Sequence, residues 1–181
     1  MVHALVMNIF NRIKSGRKTV PPIPEKIFQD PFYFIAFGLG SGAIPFAPGT
    51  FGTLFAIPFY LLLQALPLHF YFLFVIIFIV FSMWVCDRVS KEIKIHDHPG
   101  MTIDEFAGFF VTMISAPRGA LWVVLGFVLF RLFDVTKPWP IRFIDQKVSG
   151  GLGIVLDDVL AGVYACFMIQ IIRYMLYYIH N

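Results

Sequence analysis

The chain has 181 residues, of which 59% are hydrophobic and 14% charged, and its formal net charge is +3. A soluble domain is typically about 45–50% apolar and about 25% charged, so this composition excludes an ordinary soluble domain. No Asp, Glu, Lys or Arg occurs between residues 31 and 86. These features predict an all-α fold, a polytopic helical bundle in a membrane.

The first 30 residues differ from the rest because they are basic. A basic segment before membrane helices favours a cytoplasmic N-terminus, although a tail unrelated to topology is equally compatible. We therefore predict a cytoplasmic segment at 1–30 and an integral membrane domain at 31–181. The basic residues before the first apolar run are Arg12, Lys14, Arg17, Lys18 and Lys26.

Two apolar runs, residues 51–66 and 70–86, are each close to the length of about 20 residues that crosses a bilayer core. The short link between them predicts a helical hairpin, which returns the chain to the cytoplasmic side at 87–105. Residues 32–50 are apolar but contain many Gly and Pro residues. Irregular backbone survives at membrane depth only inside protein or beside a wet cavity, so we expect a re-entrant or interfacial segment there.

Two further uncharged runs, 106–117 and 119–130, are separated by Pro117-Arg118-Gly119. A hairpin places Arg118 at the far surface, where a charge costs less than at the bilayer centre. A final span is predicted at 159–179. The count is about five transmembrane helices, with every charged loop except the Arg118 tip on one side of the membrane.

Paired acids begin two of the apolar segments, Asp104-Glu105 and Asp157-Asp158. Helix capping is one explanation, because the first turn of a helix attracts anions. Thr102 and Glu105 also have the spacing of a capping box. The other explanation is a cation site, because adjacent carboxylates near lipid repel each other unless a cation lies between them.

Both acid pairs are followed by Ala-Gly, and Gly108 and Gly162 would let another backbone pack close to the acids. The available ligands are carboxylate oxygens, which favour a hard ion such as Mg²⁺. We therefore predict a metal site formed by the four acids Asp104, Glu105, Asp157 and Asp158.

The turn at Pro48–Thr53 runs directly into the first spanning segment. Glycines at a helix N-terminus expose N–H groups that suit a phosphate, although a tight turn with a Thr cap is an equally good reading. If the turn binds phosphate, the expected contacts are Gly49, Thr50, Gly52 and Thr53.

A third charged stretch contains Arg131 and Asp134, one helical turn apart, followed by Lys137. Basic groups beside acids could serve a phosphate and a metal together. The same residues could instead be membrane anchors and topology signals.

Four motifs in series resemble the phosphatidylglycerophosphatase A family, over about residues 32–165: GSGAIPFAPGTFGT, HDHPGMTIDEFAG, RLFDVTKPWPIRFID and GGLGIVLDDVLAG. Members of this family are bacterial membrane phosphatases that require Mg²⁺ and convert phosphatidylglycerol phosphate to phosphatidylglycerol. The resemblance implies a metal-dependent site that contains Asp134 beside the four paired acids. It also implies that Arg131, Lys137 and the Pro48–Thr53 turn lie near the substrate phosphate.

From this resemblance we expect an enzyme in the bacterial inner membrane that acts on an anionic phospholipid at the cytoplasmic face and has no nucleic-acid partner. Asp134 is expected to act as a general base for water or as a nucleophile. The Asp-Val-Thr sequence at 134–136 lacks the D-x-D pattern of aspartate-nucleophile phosphatases, which favours water as the nucleophile.

An ion or solute transporter is the main alternative function, because intramembrane acids also line ion pathways. A non-catalytic scaffold is a third. The oligomeric state stays open.

Overall fold

All regular elements are helical in the computed structural model, which describes residues 24–180. The all-α class is therefore confirmed for this part of the chain. The predictions for the basic residues before position 24 lie outside the described residues. Short 3₁₀ turns occur at Glu25–Phe28 and Ser41–Ala43. Seven α-helices lie within residues 24–180: α1 Pro31–Ala36, α2 Pro48–Leu63, α3 Leu68–Ile93, α4 Ile103–Thr112, α5 Ala120–Thr136, α6 Ile141–Lys147 and α7 Gly150–His180.

Helices α2 and α3 form the first predicted hairpin, with different limits. α2 begins three residues before the predicted position 51, because Pro48 occupies its first turn, where a missing N–H costs nothing. α3 continues seven residues beyond 86. Its charged end stays helical because Lys91 pairs with Asp87 at 2.6 Å and Arg88 pairs with Glu92 at 3.4 Å, both at the i,i+4 spacing that supports a helix.

The segment 32–50 is divided between α1, the 3₁₀ turn and the first residues of α2. It packs on the loop before α4: the Thr102 N–H donates to the carbonyl of Ala36 at 3.0 Å. A Cβ on Gly42 would collide with the carbonyl oxygen of Gly100. The glycines of this segment therefore allow a close approach between two stretches of backbone.

The second predicted hairpin is also present, since α4 and α5 are separated at residues 113–119. The Arg118 side chain is exposed and donates to the carbonyl of Gln64 at 3.2 Å. Because Gln64 follows α2, this bond joins the tips of the two hairpins at one end of the bundle.

Helix α4 is the centre of the bundle rather than a span. All ten of its residues are buried, and at about 1.5 Å per residue it is far shorter than the ~30 Å bilayer core. It is surrounded by α2, α3, α5 and α7. Aromatic contacts hold it there: Tyr60 packs edge-to-face on Phe109, and the Tyr71 hydroxyl donates to the carbonyl of Phe110 at 2.8 Å.

The last helix corrects the prediction most clearly, because α7 begins at Gly150 and not near 159. Gly151 explains the difference: a Cβ there would collide with the carbonyl oxygen of Met83 in α3. The Gly151 N–H also donates to the Asp87 carboxylate at 3.3 Å. The glycine-rich stretch is therefore the helical contact between α7 and α3, and not a loop.

Among the described residues, two helices are long and apolar enough to cross a membrane, α3 and residues 150–179 of α7, and α2 is a shorter apolar helix. The predicted count of about five spans is thus not confirmed. Apolar composition did not distinguish a lipid-facing segment from α4, which is apolar because it is enclosed by protein.

Candidate active site

The acids Asp104 and Glu105 lie in the first turn of α4, and both are buried. The predicted capping box is absent, since the side chain of Thr102 makes no capping hydrogen bond. The Thr102 hydroxyl lies 3.0 Å from that of Ser41. The Glu105 carboxylate is bound by Arg131. Capping therefore does not explain why Glu105 occupies this position.

The Ala-Gly sequences after the acid pairs form the crossing of α4 and α7. A Cβ on Gly108 would meet the carbonyl oxygen of Asp158 at 2.7 Å, and a Cβ on Gly162 would collide with that of Gly108. Two glycines facing each other let the helix backbones touch. This close crossing brings Asp158 of α7 to the side of Glu105.

Three carboxylates meet at this crossing: Glu105 of α4, Asp134 of α5 and Asp158 of α7. One carboxylate oxygen from each lies within 4.8 Å of the others, and all three residues are buried. We call this set the three-carboxylate group. Buried like charges at such distances repel strongly unless cations offset them.

The group fits a hard metal ion. Its donors are all carboxylate oxygens, the ligands that Mg²⁺ prefers. Within the described residues, no Lys or Arg is in direct ion-pair contact with the buried Asp158 carboxylate. A divalent ion among the three carboxylate oxygens would offset the repulsion between these buried negative charges.

Arg131 is the protein's own cation at the group. Its Nη1 binds the Glu105 carboxylate and lies 2.7 Å from Asp134. The guanidinium is mostly buried, and its Nε has no hydrogen-bond partner among residues 24–180. Because Arg131 and Asp134 are one helical turn apart, α5 presents a base and an acid together on its inner face.

Burial raises the pKa of Glu105 to about 7, and the nearby Asp134 carboxylate acts in the same direction, whereas Arg131 opposes both. Burial and the neighbouring Glu105 raise the pKa of Asp104 as well. Perturbed carboxyl groups of this kind are typical of functional sites.

Lys137 is the C-cap residue of α5 and forms ion pairs with two other acids. Its ammonium lies 2.7 Å from Asp145 of α6 and 2.6 Å from Asp157 of α7. The second carboxylate oxygen of Asp157 is buried and accepts no hydrogen bond from the part of the chain that the structure describes. Lys137 therefore binds the residue that precedes Asp158 in α7, and its ammonium is already held by two carboxylates.

The Pro48–Thr53 turn forms the first turn of α2 and lies against the group. A Cβ on Gly49 would collide with the Glu105 carboxylate, and would meet the guanidinium of Arg131 at 3.0 Å. Pro48 has no N–H, and the N–H groups of Gly49 and Thr50 precede the first intrahelical bond. These two backbone N–H groups therefore have no acceptor within α2, and they lie close to the Arg131 guanidinium.

The other two predicted phosphate contacts lie deeper in the protein. The Thr53 hydroxyl is buried, donates to the carbonyl of Gly49 at 2.9 Å and lies 3.4 Å from the Glu105 carboxylate. A Cβ on Gly52 would meet Thr102 at 2.7 Å. Thr53 therefore supports Glu105, and Gly52 permits the contact between α2 and the start of α4.

The structure thus brings Glu105 and Asp158 together with Asp134, and gives the other predicted metal ligands different neighbours. Asp104 accepts the Glu105 N–H at 3.0 Å, and Asp157 pairs with Lys137. Sequence reasoning missed Asp145, the second partner of Lys137. Its distance of eight residues from Lys137, across a turn, carries no recognisable spacing signal.

A polar cleft of about 280 Å³ opens beside Asp157, between α6, the start of α7 and the loop after α3. It gives solvent a path towards the acids. Its lining includes His96, Asp97, Asp145, Lys147 and Ser149.

Comparisons with known proteins identify the family of the chain. The family model for phosphatidylglycerophosphatase A matches residues 34–173. A phosphatidylglycerophosphatase A of Escherichia coli is 42% identical over 80% of this chain and 84% of its own length. Another from Haemophilus influenzae is 36% identical over 84% of this chain and 95% of its own length.

A provisionally named phosphatidylinositol-3-phosphatase of Bacteroides thetaiotaomicron is 33% identical over 78% of this chain and 93% of its own length. No solved structure matches the chain. The match to the family model covers every acid and base of the site, from the Gly49 turn to Asp158. The chain therefore belongs to the phosphatidylglycerophosphatase A family.

Proposed function

We propose that this chain is a Mg²⁺-dependent lipid phosphatase that hydrolyses phosphatidylglycerol phosphate to phosphatidylglycerol and phosphate. The observation that carries the proposal is the three-carboxylate group with Arg131 and the free N–H groups of α2 beside it, in a member of this family. Such a site offers ligands for a metal ion and donors for a phosphate at the same place.

Glu105, Asp134 and Asp158 would hold the ion. When bound there, Mg²⁺ would offset negative charge on the phosphoryl oxygens. Arg131 and the N–H groups of Gly49 and Thr50 would bind the remaining oxygens and stabilise the charge that develops on them during transfer. Thr53 keeps the Glu105 carboxylate in position.

Asp134 is assigned as the general base for an attacking water. The water oxygen bonds to phosphorus and its proton passes to Asp134. The bond between phosphorus and the glycerol oxygen breaks, and that oxygen takes a proton from solvent. A phosphoenzyme trapped in the parent protein and lost in Asp134→Asn would contradict this assignment and favour an aspartyl-phosphate.

Lys137 is assigned to the substrate rather than to the ion. An incoming phosphate would compete with Asp145 and Asp157 for its ammonium, and the lysine would retain at least one of these carboxylates as a support. Asp104 and Asp157, which lie next to the ligands along their helices, would tune the charge of the site.

We further propose a multi-pass protein of the bacterial inner membrane with its site at the cytoplasmic face and an anionic phospholipid as substrate. Two apolar helices and the phospholipid phosphatase relatives support membrane association. Arg88, Lys91 and Lys94 lie at the end of α3 that leads to the acids, and basic residues favour the cytoplasmic side. Labelling of Lys91→Cys by an impermeant reagent from outside the cell would contradict this orientation.

Transport is not favoured as the function. The family and its curated relatives are named for a phosphatase. The acids are also partly neutralised by Arg131 and Lys137, which bring the phosphate-binding groups that a carboxylate-lined cation pathway does not need.

The test is phosphate release from phosphatidylglycerol phosphate by the purified full chain, with Mg²⁺ and with a chelator. We expect turnover with Mg²⁺ only, and a loss of about 100-fold or more in Asp158→Asn, because a metal ligand is removed. Glu92→Gln is the matched control, since Glu92 is an exposed acid of α3 paired with Arg88. Metal-independent release, or no release by the parent protein, would contradict the proposal.

A further inference from the structure

The outer face of α5 carries an apolar stripe that runs the whole length of the helix. Its members follow one another at intervals of three or four residues, so they share one helical face. All are more than half exposed. They are Leu121, Val124, Val128, Leu132 and Val135.

The stripe does not stop where α5 ends. Trp139 in the following link is 81% exposed, and Phe143 of α6 is 55% exposed. The link is fixed to the bundle, because the Tyr164 hydroxyl of α7 donates to the Trp139 carbonyl at 3.1 Å. Fully buried Ile141 anchors α6 on the other side. The exposed Trp139 and Phe143 therefore lie on a segment that is fixed to the bundle on both sides.

Basic charge accompanies these aromatics. Arg142 and Lys147 of α6 are exposed and make no ion pair with a described residue, whereas the acid of this helix, Asp145, is paired with Lys137. We call Val135, Trp139 and Phe143, with these two basic residues, the interfacial corner. Aromatic rings beside Lys and Arg at the end of an apolar stripe are typical of the boundary between lipid and water.

The occupant of this surface is a bilayer rather than a second copy of the chain. Exposed large apolar side chains also occur on other sides of the bundle, such as Leu62 of α2, Ile77 of α3 and Phe167 of α7. One dimer contact would cover one face only, whereas monomers in water rarely expose such extensive apolar surface. Lipid covers all of these faces at once.

We propose that the interfacial corner inserts into the headgroup region of an anionic bilayer and so holds the three-carboxylate group at the depth of the lipid phosphates. Asp134 of the group and Val135 of the corner are adjacent residues in the last turn of α5, and the first is buried whereas the second is exposed. The inference rests on the proposed function for its substrate but uses separate residues.

The depth of the corner can be measured by fluorescence. In Trp84→Phe/Trp122→Phe the full chain retains Trp139 as its sole tryptophan. In vesicles of phosphatidylcholine and phosphatidylglycerol, we expect its emission to be quenched most by lipids brominated close to the glycerol. Quenching by aqueous iodide with none by brominated lipid would overturn the proposal. So would efficient cross-linking between copies through Trp139→Cys, which would show that a second chain covers the corner.

The effect of the interfacial corner on catalysis can be measured by comparing a membrane-embedded substrate with a dispersed one. In Trp139→Ala/Phe143→Ala we expect hydrolysis of the vesicle-embedded long-chain substrate to fall about fivefold or more, because the site would no longer be held at the depth of the lipid phosphates by interfacial aromatic side chains. A dispersed short-chain analogue should be hydrolysed at the parent rate. Leu121→Ala, at the other end of the same stripe, should leave both rates unchanged.

Equal losses on the two substrates would overturn the assignment, since the corner would then act through the fold. Failure of the proposed function would look different. The parent protein would hydrolyse neither substrate, while the quenching of Trp139 would still report its depth.

Discussion

At the scale of single residues, the two acids of each pair have different contacts, because neighbouring residues of a helix point about 100° apart. The two carboxylates of a pair can therefore contact different neighbours. One carboxylate oxygen each of Glu105 and Asp158 belongs to the three-carboxylate group, whereas Asp104 accepts the Glu105 N–H and Asp157 pairs with Lys137. The third carboxylate comes from α5 as Asp134, to which the proposed mechanism also assigns the role of general base.

The raised pKa of Glu105 predicts a pH dependence of metal binding. Its ordinary value is 4.5 and its value in the fold is about 7, so a proton must leave before the carboxylate can bind an ion. Titration of the purified protein with Mg²⁺ should give a dissociation constant about tenfold weaker at pH 6 than at pH 8.

The same shift sets the pH dependence of stability without metal. A carboxyl group whose pKa is raised by folding stabilises the native state while it is protonated, and this contribution is lost as the pH rises from 4.5 to 7. The melting temperature of the metal-free protein should fall over this interval, and fall less in Glu105→Gln. An identical fall in both proteins would assign the effect to other groups.

At the scale of elements, the crossing of α4 and α7 is the feature that assembles the site. Both helices carry an acid followed by a glycine at the contact, so the distance between the two backbones sets the distance between Glu105 and Asp158. Gly108 and Gly162, which the sequence predicted would let another backbone pack close to the acids, make this close crossing and so bring carboxylates from two helices together.

Substitution of Gly162 should therefore affect the metal site from a distance. The Cβ of Gly162→Ala would meet the backbone carbonyl of Gly108, which cannot rotate away as a side chain does. We expect a loss of about 1–3 kcal/mol in the free energy of unfolding and weaker Mg²⁺ binding. Val163→Ala changes the next, half-exposed position of α7 and should leave both quantities close to those of the parent protein. Parent-like metal binding by Gly162→Ala would show that the crossing does not set the site.

At the scale of the whole molecule, the sequence predicted the helical class and the two helical hairpins, and it singled out Glu105, Asp134 and Asp158, which the fold brings together. It did not predict which segments face lipid. α4 is as apolar as a membrane span, but it is enclosed on all sides. The start of α7 was also missed, because Gly150, Gly151 and Gly153 have poor helix propensity. Contact with α3 outweighs that preference. Such effects depend on tertiary neighbours that no local pattern records.

The most direct test of the account is the number and location of bound ions. Mn²⁺ can replace Mg²⁺ at oxygen sites and is visible by electron paramagnetic resonance. The full chain should bind Mn²⁺ in competition with Mg²⁺, and Asp158→Asn should lose this binding while Glu92→Gln retains it. Undiminished Mn²⁺ binding in Asp158→Asn would contradict a metal centre formed by Glu105, Asp134 and Asp158.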